Sequence, residues 1–353
     1  MRRPQPRGPL GEQLLTLLAD PPEDAGARGR AEELAAAAAA ALARAGDLPA
    51  DDDVQLSLFV LHALHYLGVE GVDERWELEP GIVRAREVLG TALEEHLRAQ
   101  VPGHDVPATP QAVADALFAL AADDDGPGLA RFLSGRAGPD QAREFLQLKS
   151  LYQLMEADPH TWAIPRLRGR AKAALVEIQA DEYGGGDPRR MHSGMFAAGM
   201  REAGLDDAYG AAADRVPAVW LAGVNAVSVF GLHRRLRGAI VGHLAMYEIT
   251  SSDPSRFLAR GFRRLGLPAA AAYYDEHVVA DAAHEQIAAR DMAGGLVVAD
   301  PAAAADVFFG ARSVLHLDAL AARQALGCWE AGRSALRPVP GAPAGDRVAE
   351  LVR

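Results

Sequence analysis

The amino-acid sequence predicts an all-α protein, and three observations support this. Apolar residues recur with the period of a helix along most of the 353 residues, whereas no segment alternates apolar and polar residues as a half-buried strand does. Alanine is abundant, as in the run from Ala35 to Ala43, and alanine has the highest helix propensity. Clusters of glycine, proline and aspartate mark the ends of successive helices. We therefore expect a bundle in which most helices lie antiparallel to their neighbours.

The predicted helices follow one another from near the N-terminus to about residue 333. In the first part we expect helices near 29–46, after the acidic cap Asp51-Asp52-Asp53, and near 81–99, 109–122 and 127–134. In the second part we expect helices near 139–157, 168–184, 189–203, 207–213, 216–230, 232–250, 254–265, 268–292, 301–308 and 311–333. Breaks are expected at 184–188, at 251–254 and at Gly294-Gly295.

The chain divides into four segments of different composition. Residues 1–30 are rich in proline, glycine, arginine and aspartate, so we expect a flexible, frayed arm there. Residues 31–138 would form a helical N-terminal extension and residues 139–335 the main bundle. Residues 336–353 are again rich in proline and glycine, which predicts a loose tail.

Charge and cysteine content exclude several classes of protein. The 48 acidic and 36 basic residues give a net charge of −12, which argues against a nucleic-acid partner because phosphate binding favours a basic surface. The single cysteine, Cys328, allows no intramolecular disulfide or thiolate cluster, so we expect a cytoplasmic protein whose metal ligands are nitrogen and oxygen. No uncharged apolar run of about 18 residues or secretory signal is present, so we expect no membrane partner.

The clearest chemical signal lies in one predicted helix, where two histidines and an aspartate share a face. At about 100° per residue, Asp281 lies about +40° and His284 about −20° from His277, so the three fall within about 60°. Small or apolar residues surround this stripe. Buried polar side chains need partners, and a metal ion would serve. The alternative is that they are satisfied polar groups at a helix interface or on a solvated face.

The axial spread of this stripe favours two ions over one. His277 and His284 are separated by about 10.5 Å of helix rise, which is long for one ion bound by both. Two ions about 3.5–4 Å apart, with Asp281 between them, suit this spread. A single ion held by Asp281 and His284 is the alternative.

A second signal joins Glu182 and His192 across a predicted break. Glu182 closes one helix, three glycines follow, and Asp187-Pro188 starts the next helix, whose first turns contain His192. Three glycines are more than a helix end needs, which favours a turn that lets both side chains approach one point. The alternative is a simple helix–helix turn with a surface acid.

Two further glutamates are isolated acids late in apolar helices. Glu156 lies near a predicted helix C-terminus, where the helix dipole disfavours negative charge, and Glu248 is placed similarly. Each alone is more typical of a surface acid. Together the four signals supply four carboxylates and three imidazoles, the ligand set of diiron sites in helical bundles. The candidate metal ligands are Glu156, Glu182, His192, Glu248, His277, Asp281 and His284.

The order of these seven residues resembles that of the haem-oxygenase-like diiron oxidases and oxygenases, often called iron-containing redox enzymes. The resemblance covers about residues 145–335, and the turn from Ala180 to Gly186 is similar to that of actinobacterial members. It implies a haem-oxygenase-like helical bundle, here with a helical N-terminal extension. It also implies an iron-dependent oxidoreductase with two Fe(II) ions and dioxygen as co-substrate, which oxygenates, desaturates or fragments a small organic substrate in specialised metabolism.

The resemblance further implies how the ligands divide between the ions. One iron would be held by Glu156, His192 and His284, the other by Glu248, His277 and Asp281, with Glu182 bridging or supporting them. His160 is an alternative to Glu156, because some relatives use a Glu/His pair there. No catalytic residue beyond the metal ligands is implied.

Partners and competing functions follow from the same residues. We expect a small-molecule substrate and leave open an external electron donor and a homodimer. No glycine-rich nucleotide motif is present to bind NAD internally. Two alternatives to the diiron enzyme remain, namely a non-iron metal hydrolase on the same bundle and a non-catalytic helical protein that binds a small molecule.

Overall fold

Helices make up the regular structure of the protein. The computed structural model describes residues 1–101 and 109–338, without the side chains of Asp281 and Ala282. Within these residues no strand occurs, which confirms the predicted all-α class. None of the described helices combines the length and the hydrophobicity that a bilayer-spanning segment needs.

The helices fall into those before residue 136 and those that form the main bundle. The first group comprises α1 (Pro9–Leu17), α2 (Ala25–Arg44), α3 (Asp52–Ala63), α4 (Pro80–Gln100), α5 (Pro110–Ala122) and α6 (Leu129–Gly135). The main bundle contains α7 (Pro139–Gln153), α8 (Asp158–Thr161), α9 (Gly169–Glu182), α10 (His192–Glu202), α11 (Ala218–Leu232), α12 (Arg237–Thr250), α13 (Ser252–Arg264), α14 (Pro268–Gln286), α15 (Gly294–Ala299) and α16 (Ala304–Glu330). A π-helical segment, Ile287–Ala293, joins α14 to α15 without a break.

Capping residues set several helix starts. The side chain of Asp51 accepts a hydrogen bond from the backbone N–H of Val54 and begins α3, as the acidic cluster predicted. Asp24 caps α2 in the same way. Proline occupies the first turn of α4 and of α14, where its missing N–H costs no helical hydrogen bond.

Residues 1–30 were expected to form a frayed arm, but in the structure they contain helix α1 and the start of helix α2. Leu10 and Leu14 of α1 are buried in the core, because the apolar residues of this short helix share one face. The Arg7 guanidinium pairs with Asp52 at 2.8 Å and donates to the carbonyl of Val216, which anchors the segment to the bundle. The tail prediction falls mainly on residues 339–353, which lie outside the described residues.

Three predicted helix boundaries are wrong. Residues 207–213 form turns and no helix. The helix predicted for residues 268–292 does not end at Gly294-Gly295 but continues to Ala299. Gly294 serves close packing instead, since a Cβ there would lie 2.7 Å from Pro110 Cα. The segments 301–308 and 311–333 are largely one helix, α16, in which Gly310 lies against α12.

The N-terminal helices pack directly on the bundle. The buried Asn225 side chain on α11 donates from Nδ2 to the backbone and side-chain oxygens of Gln55 on α3, each at 2.9 Å. Its Oδ1 accepts from His62 Nδ1 at 3.2 Å. One hydrophobic cluster extends from Leu10 to Leu336. The division between extension and bundle at residue 139 stays a prediction.

The crossing of α12 and α16 fixes the helix that carries Glu248. A Cβ on Gly242 would lie 1.8 Å from the carbonyl oxygen of Val307, and one on Gly310 would lie 1.9 Å from that of Ala239. Real side chains cannot approach so closely. The two glycines therefore allow the two helix backbones to touch.

We expect Gly242→Ala to lower the free energy of unfolding by about 1–3 kcal/mol, since the added methyl must push α12 and α16 apart. Urea unfolding followed by circular dichroism measures this change. The matched control is Gly223→Ala on α11, where a Cβ meets no atom within 4 Å. This control should be neutral or more stable by about 0.5–1 kcal/mol. Equal losses in both variants would contradict the packing argument.

Candidate metal centre

Glu156 enters the site from the turn between α7 and α8. It is followed by Ala157, which has φ 76° and is the one non-glycine residue with positive φ among the described residues. Such strain persists where surrounding contacts hold it, and here the Ala157 carbonyl accepts from Gln179 at 2.8 Å. The Tyr273 hydroxyl donates to Glu156 Oε2 at 2.6 Å. Glu156 therefore has one oxygen fixed, while Oε1 faces His277 Nε2 at 3.6 Å.

The glycine turn brings Glu182 and His192 together, as the sequence predicted. Glu182 is the last residue of α9 and His192 the first of α10. Gly184, Gly185 and Gly186 all have positive φ, a conformation that glycine adopts without strain. The resulting reversal places Glu182 Oε2 2.8 Å from His192 Nδ1, and both side chains are buried.

Helix α14 contributes His277 and His284, and in each ring one nitrogen forms a hydrogen bond that fixes the direction of the other. His277 Nδ1 donates to the carbonyl oxygen of Tyr273 at 2.9 Å, which leaves Nε2 as the nitrogen that faces Glu156. His284 Nε2 lies 3.0 Å from Asp181 Oδ2, and its Nδ1 lies 3.4 Å from Glu248 Oε2. A hydrogen bond on one imidazole nitrogen fixes the tautomer and directs the other nitrogen toward a ligand site.

Glu248 reaches the site from α12 and is almost completely buried. Burial raises the pKa of the Glu248 carboxyl; His284 opposes this rise, and the nearby Glu182 adds to it. Burial would also raise the pKa of Glu156, but His277 and His192 together lower it below its usual value. The cluster therefore concentrates carboxylates and imidazoles that stabilise each other's charged forms.

The side chains form two groups that share one carboxylate. The first group is Glu156, Glu182, His192 and His277, and the second is Glu182, Glu248 and His284. In each group one ligand atom per residue lies within 4.8 Å of the others. Donors at about 2.0–2.2 Å from an ion lie about 3–4 Å apart, so small movements of these side chains would let each group hold a common ion.

Two buried nitrogens support a metal at these positions. His192 Nδ1 and His284 Nδ1 have no well-directed hydrogen bond from or to a described residue, although carboxylate oxygens lie 2.8 Å and 3.4 Å away. Buried polar atoms are normally satisfied, so such atoms call for a missing partner. Nitrogen and carboxylate oxygen donors without sulfur suit Fe(II). The residues present therefore fit the iron that the resemblance implies.

The division of ligands differs from the one the resemblance implied. His277 lies with Glu156 and His192, and His284 lies with Glu248, so the two α14 histidines exchange groups. The reason is their order along α14, because His277 is near the α7–α8 turn and His284 is near the end of α12. The shared position of Glu182 agrees with the implied bridging role. Asp281 lies outside the described side chains, and its role stays a prediction.

His160 is not part of either group. Its Nε2 lies 3.1 Å from His243 Nδ1, and both rings are buried. Burial lowers the pKa of His160 to about 3, and burial also lowers that of His243. The pair is therefore neutral at neutral pH. The structure places Glu156 and not the alternative His160 beside the other candidate ligands.

Two contributors were not assigned from the sequence. Asp181 orients His284, and Tyr273 holds both Glu156 and, through its carbonyl, His277. The available signal for Tyr273 was its position four residues before His277, which places the two on one helical face. Asp181 directly precedes Glu182 and gave no separate signal.

A cavity of about 180 Å³ adjoins the cluster, and its lining combines aromatic and apolar side chains with a similar number of polar and charged ones. Glu156, Glu182 and Glu248 form one wall. Tyr274 lines the cavity with a buried hydroxyl that has no hydrogen-bond partner among the described residues, and its ring stacks on Phe262. The site thus combines metal-type donors with space for a small molecule.

The titration of His284 predicts how the metal-free protein responds to pH. Burial alone would lower the pKa of His284, but Glu248, Asp181 and Glu182 raise it to about 9. Because the unfolded value is about 6.5, the stabilisation is fully present below about pH 6.5 and is lost as pH rises through about 9. We expect the unfolding free energies of wild type and His284→Gln to converge as pH rises from about 6 to about 9.5. A pH-independent difference between them would contradict this assignment.

Comparison with known proteins agrees with the geometry. A family model described as "Iron-containing redox enzyme", of the haem-oxygenase-like group, matches residues 143–319, just over half of the chain. The match includes every candidate ligand from Glu156 to His284. No curated protein matches the chain. The resemblance found in the sequence and the haem-oxygenase-like all-α fold are thereby confirmed, and the chain belongs to the family of iron-containing redox enzymes.

Proposed function

We propose that the protein is a non-haem diiron oxidoreductase that uses dioxygen to oxidise a small organic substrate. The observation that carries this proposal is the shared position of Glu182 in two groups of buried nitrogen and oxygen donors. A carboxylate between two such groups suits two ions about 3.5–4 Å apart. Asp281, on α14 between the two histidines, is proposed as a further ligand.

The residues around the ligands preorganise the centre. Asp181 accepts from His284 Nε2 and so directs Nδ1 toward the position beside Glu248. Tyr273 donates to one oxygen of Glu156 and leaves the other for coordination. These contacts fix the donor atoms in place, so little reorganisation would be needed when the centre is filled.

The cavity beside the centre is proposed to hold the organic substrate and to exclude water. The tyrosine rings and leucine side chains in its lining are proposed to limit the access of bulk solvent to the reacting groups. Bound iron would supply the one-electron chemistry that dioxygen needs to react with an organic molecule. The electrons are proposed to come from an external donor or from the substrate.

Anaerobic reconstitution tests this proposal. The protein is loaded with Fe(II), passed over a desalting column, analysed for iron per chain, and then mixed with dissolved dioxygen in an oxygen electrode. We expect about two irons per chain and rapid oxygen uptake, in keeping with a two-metal site. The matched control is Glu177→Gln, an exposed acid on the same helix as Glu182, which should behave as wild type.

The same experiment distinguishes the competing functions. Retention of Zn(II) or Mn(II) in preference to Fe(II), without oxygen uptake by the Fe(II) form, would favour a metal hydrolase. Failure to retain any of the three ions would favour a binding protein without metal. Either result would overturn the diiron proposal.

A further inference from the structure

The turn that carries Glu156 depends on a backbone conformation that alanine rarely adopts. Ala157 follows Glu156 directly and has φ 76°, a left-handed conformation that costs alanine free energy and glycine almost none. It lies between the end of α7 and the start of α8, so the chain reverses there. The direction in which Glu156 leaves the backbone therefore depends on Ala157 keeping this conformation.

Helix α9 holds this turn through a buried side-chain amide. Gln179 Nε2 donates to the Ala157 carbonyl at 2.8 Å and to Thr161 Oγ1 at 2.7 Å. Gln179 is only 3% exposed, and hydrogen bonds are stronger where water does not compete for the donor. Both N–H groups of the amide are thus used to tie the turn and the short helix α8 to α9.

The chain holds the same turn a second time, four residues further on. Tyr183 follows the last residue of α9, and its hydroxyl donates to Asp158 Oδ1 at 2.8 Å. A phenol has one proton to donate, so the Tyr183 oxygen accepts from Thr161 Oγ1, which lies 2.8 Å away. Donation therefore runs in one direction, from the amide through two hydroxyls to the carboxylate.

These hydrogen bonds close a loop between two segments of the chain. The loop joins the carbonyl of Ala157 to the carboxylate of Asp158, so two adjacent residues of the turn are each held from α9 or its end. Donors that point the same way polarise one another and strengthen each bond. We call this loop, which comprises Ala157, Asp158, Thr161, Gln179 and Tyr183, the turn clamp.

The turn clamp joins the two segments that supply the carboxylates of one ligand group. Glu156 precedes the clamped turn, and Glu182 lies between Gln179 and Tyr183 in the sequence. Both glutamates belong to the first ligand group, whereas no member of the clamp belongs to either group. The clamp can therefore affect the spacing of the two carboxylates without itself binding an ion.

We propose that the turn clamp positions Glu156 relative to Glu182 by holding Ala157 in its left-handed conformation. Its members are positioning residues, because they act through Glu156. The proposal rests on the proposed function, since it requires an ion in the first ligand group. Without the clamp, Ala157 relaxes toward the right-handed region that alanine prefers, and Glu156 turns away from Glu182.

Titration of the metal-free protein with Co(II), followed by the visible absorption bands of the bound ion, tests this proposal. The bands report the geometry and the donors around the ion. Thr161→Val keeps the shape of the side chain but removes its hydroxyl, and Tyr183→Phe removes the hydroxyl of the ring. We expect about two Co(II) ions per wild-type chain. In each variant one of them should bind on the order of 10-fold more weakly and with altered bands, since the cost of strain at Ala157 is no longer offset.

Rescue distinguishes positioning from a general structural role. Thr161→Ser retains the hydroxyl and should bind Co(II) as wild type. Ala157→Gly removes the strain that the clamp opposes, so the double variant Ala157→Gly/Thr161→Val should bind within about 3-fold of wild type. A general loss of packing at Thr161 would not be reversed by removing a methyl group at another residue. The matched control is Thr91→Val, an exposed threonine of α4, which should bind as wild type.

The outcomes separate this proposal from the proposed function. If wild type binds both Co(II) ions and Thr161→Val and Tyr183→Phe bind them with unchanged affinity and bands, the clamp is refuted and the metal centre stands. If Ala157→Gly fails to restore binding to Thr161→Val, the hydroxyl acts by another route and the clamp is also refuted. The same rescue in Tyr183→Phe decides the question if Thr161→Val does not fold. A wild-type protein that binds no Co(II) would refute the metal centre and the clamp together.

Discussion

Glu182→Gln is expected to empty both metal positions at once. Glu182 belongs to both ligand groups, so the variant loses an anionic donor shared by the two ions. A neutral amide binds iron more weakly than a carboxylate and cannot offset the charge of two adjacent cations. Iron per chain after anaerobic reconstitution and gel filtration should fall to the background value, and oxygen uptake should be lost.

The loss of bound iron in Glu182→Gln is expected to come from the shared position of Glu182 and not from unfolding of the variant. Glutamine has the shape of glutamate, and it removes a negative charge that raises the pKa of Glu248. The variant also loses the buried contact between Glu182 and His192. The thermal midpoint of the metal-free variant, measured beside the iron content, therefore separates an effect on folding from the loss of metal binding. Retention of one iron per chain would show that Glu182 serves only one position and would contradict the shared site.

His284→Ala is expected to remove one of the two ions, because the second group loses its sole nitrogen donor among the described residues. The first group keeps its donors, so iron per chain should fall by about half. Oxygen uptake should be lost, since the proposed chemistry needs both ions. Iron analysis together with oxygen uptake measures the two effects separately.

The matched control for His284→Ala is His316→Ala. His316 is a half-buried histidine of α16 that belongs to neither ligand group. Its removal should leave iron content intact and cost at most about 1–3 kcal/mol of stability. Equal iron loss in both variants would mean that unfolding explains the effect, and unchanged iron in His284→Ala would refute the assigned ligand.

The parts of the site that depend on local geometry could be predicted from the sequence. The common face of His277 and His284 follows from the constant rotation of an α-helix. The approach of Glu182 to His192 follows from three glycines that permit a sharp reversal. In both cases the relevant distances are set within about ten residues of chain.

The parts that depend on packing between helices could not be predicted in this way. Which histidine lies beside Glu156 and which beside Glu248 is decided by the relative heights of α7, α12 and α14. The same limit applies to Gly310, which lies between the predicted helices 301–308 and 311–333 but in fact sits where α16 touches α12. A glycine has the same sequence signature in both roles, and only the neighbouring helix distinguishes them.

The π-helical segment Ile287–Ala293 also changes which residues can reach the centre. In an uninterrupted α-helix, Asp291 would lie about −40° from His277 and would continue the ligand stripe. The wider turns of the segment shift the phase of the following residues, and Asp291 instead pairs with Arg170 on the protein surface. A single-residue deletion within the segment would remove the wide turn but leave Asp291 thirteen residues after His277, about −140° from it in a regular α-helix, so this carboxylate would stay off the ligand face. The length of one short segment thus limits how many acids this helix presents on its ligand face.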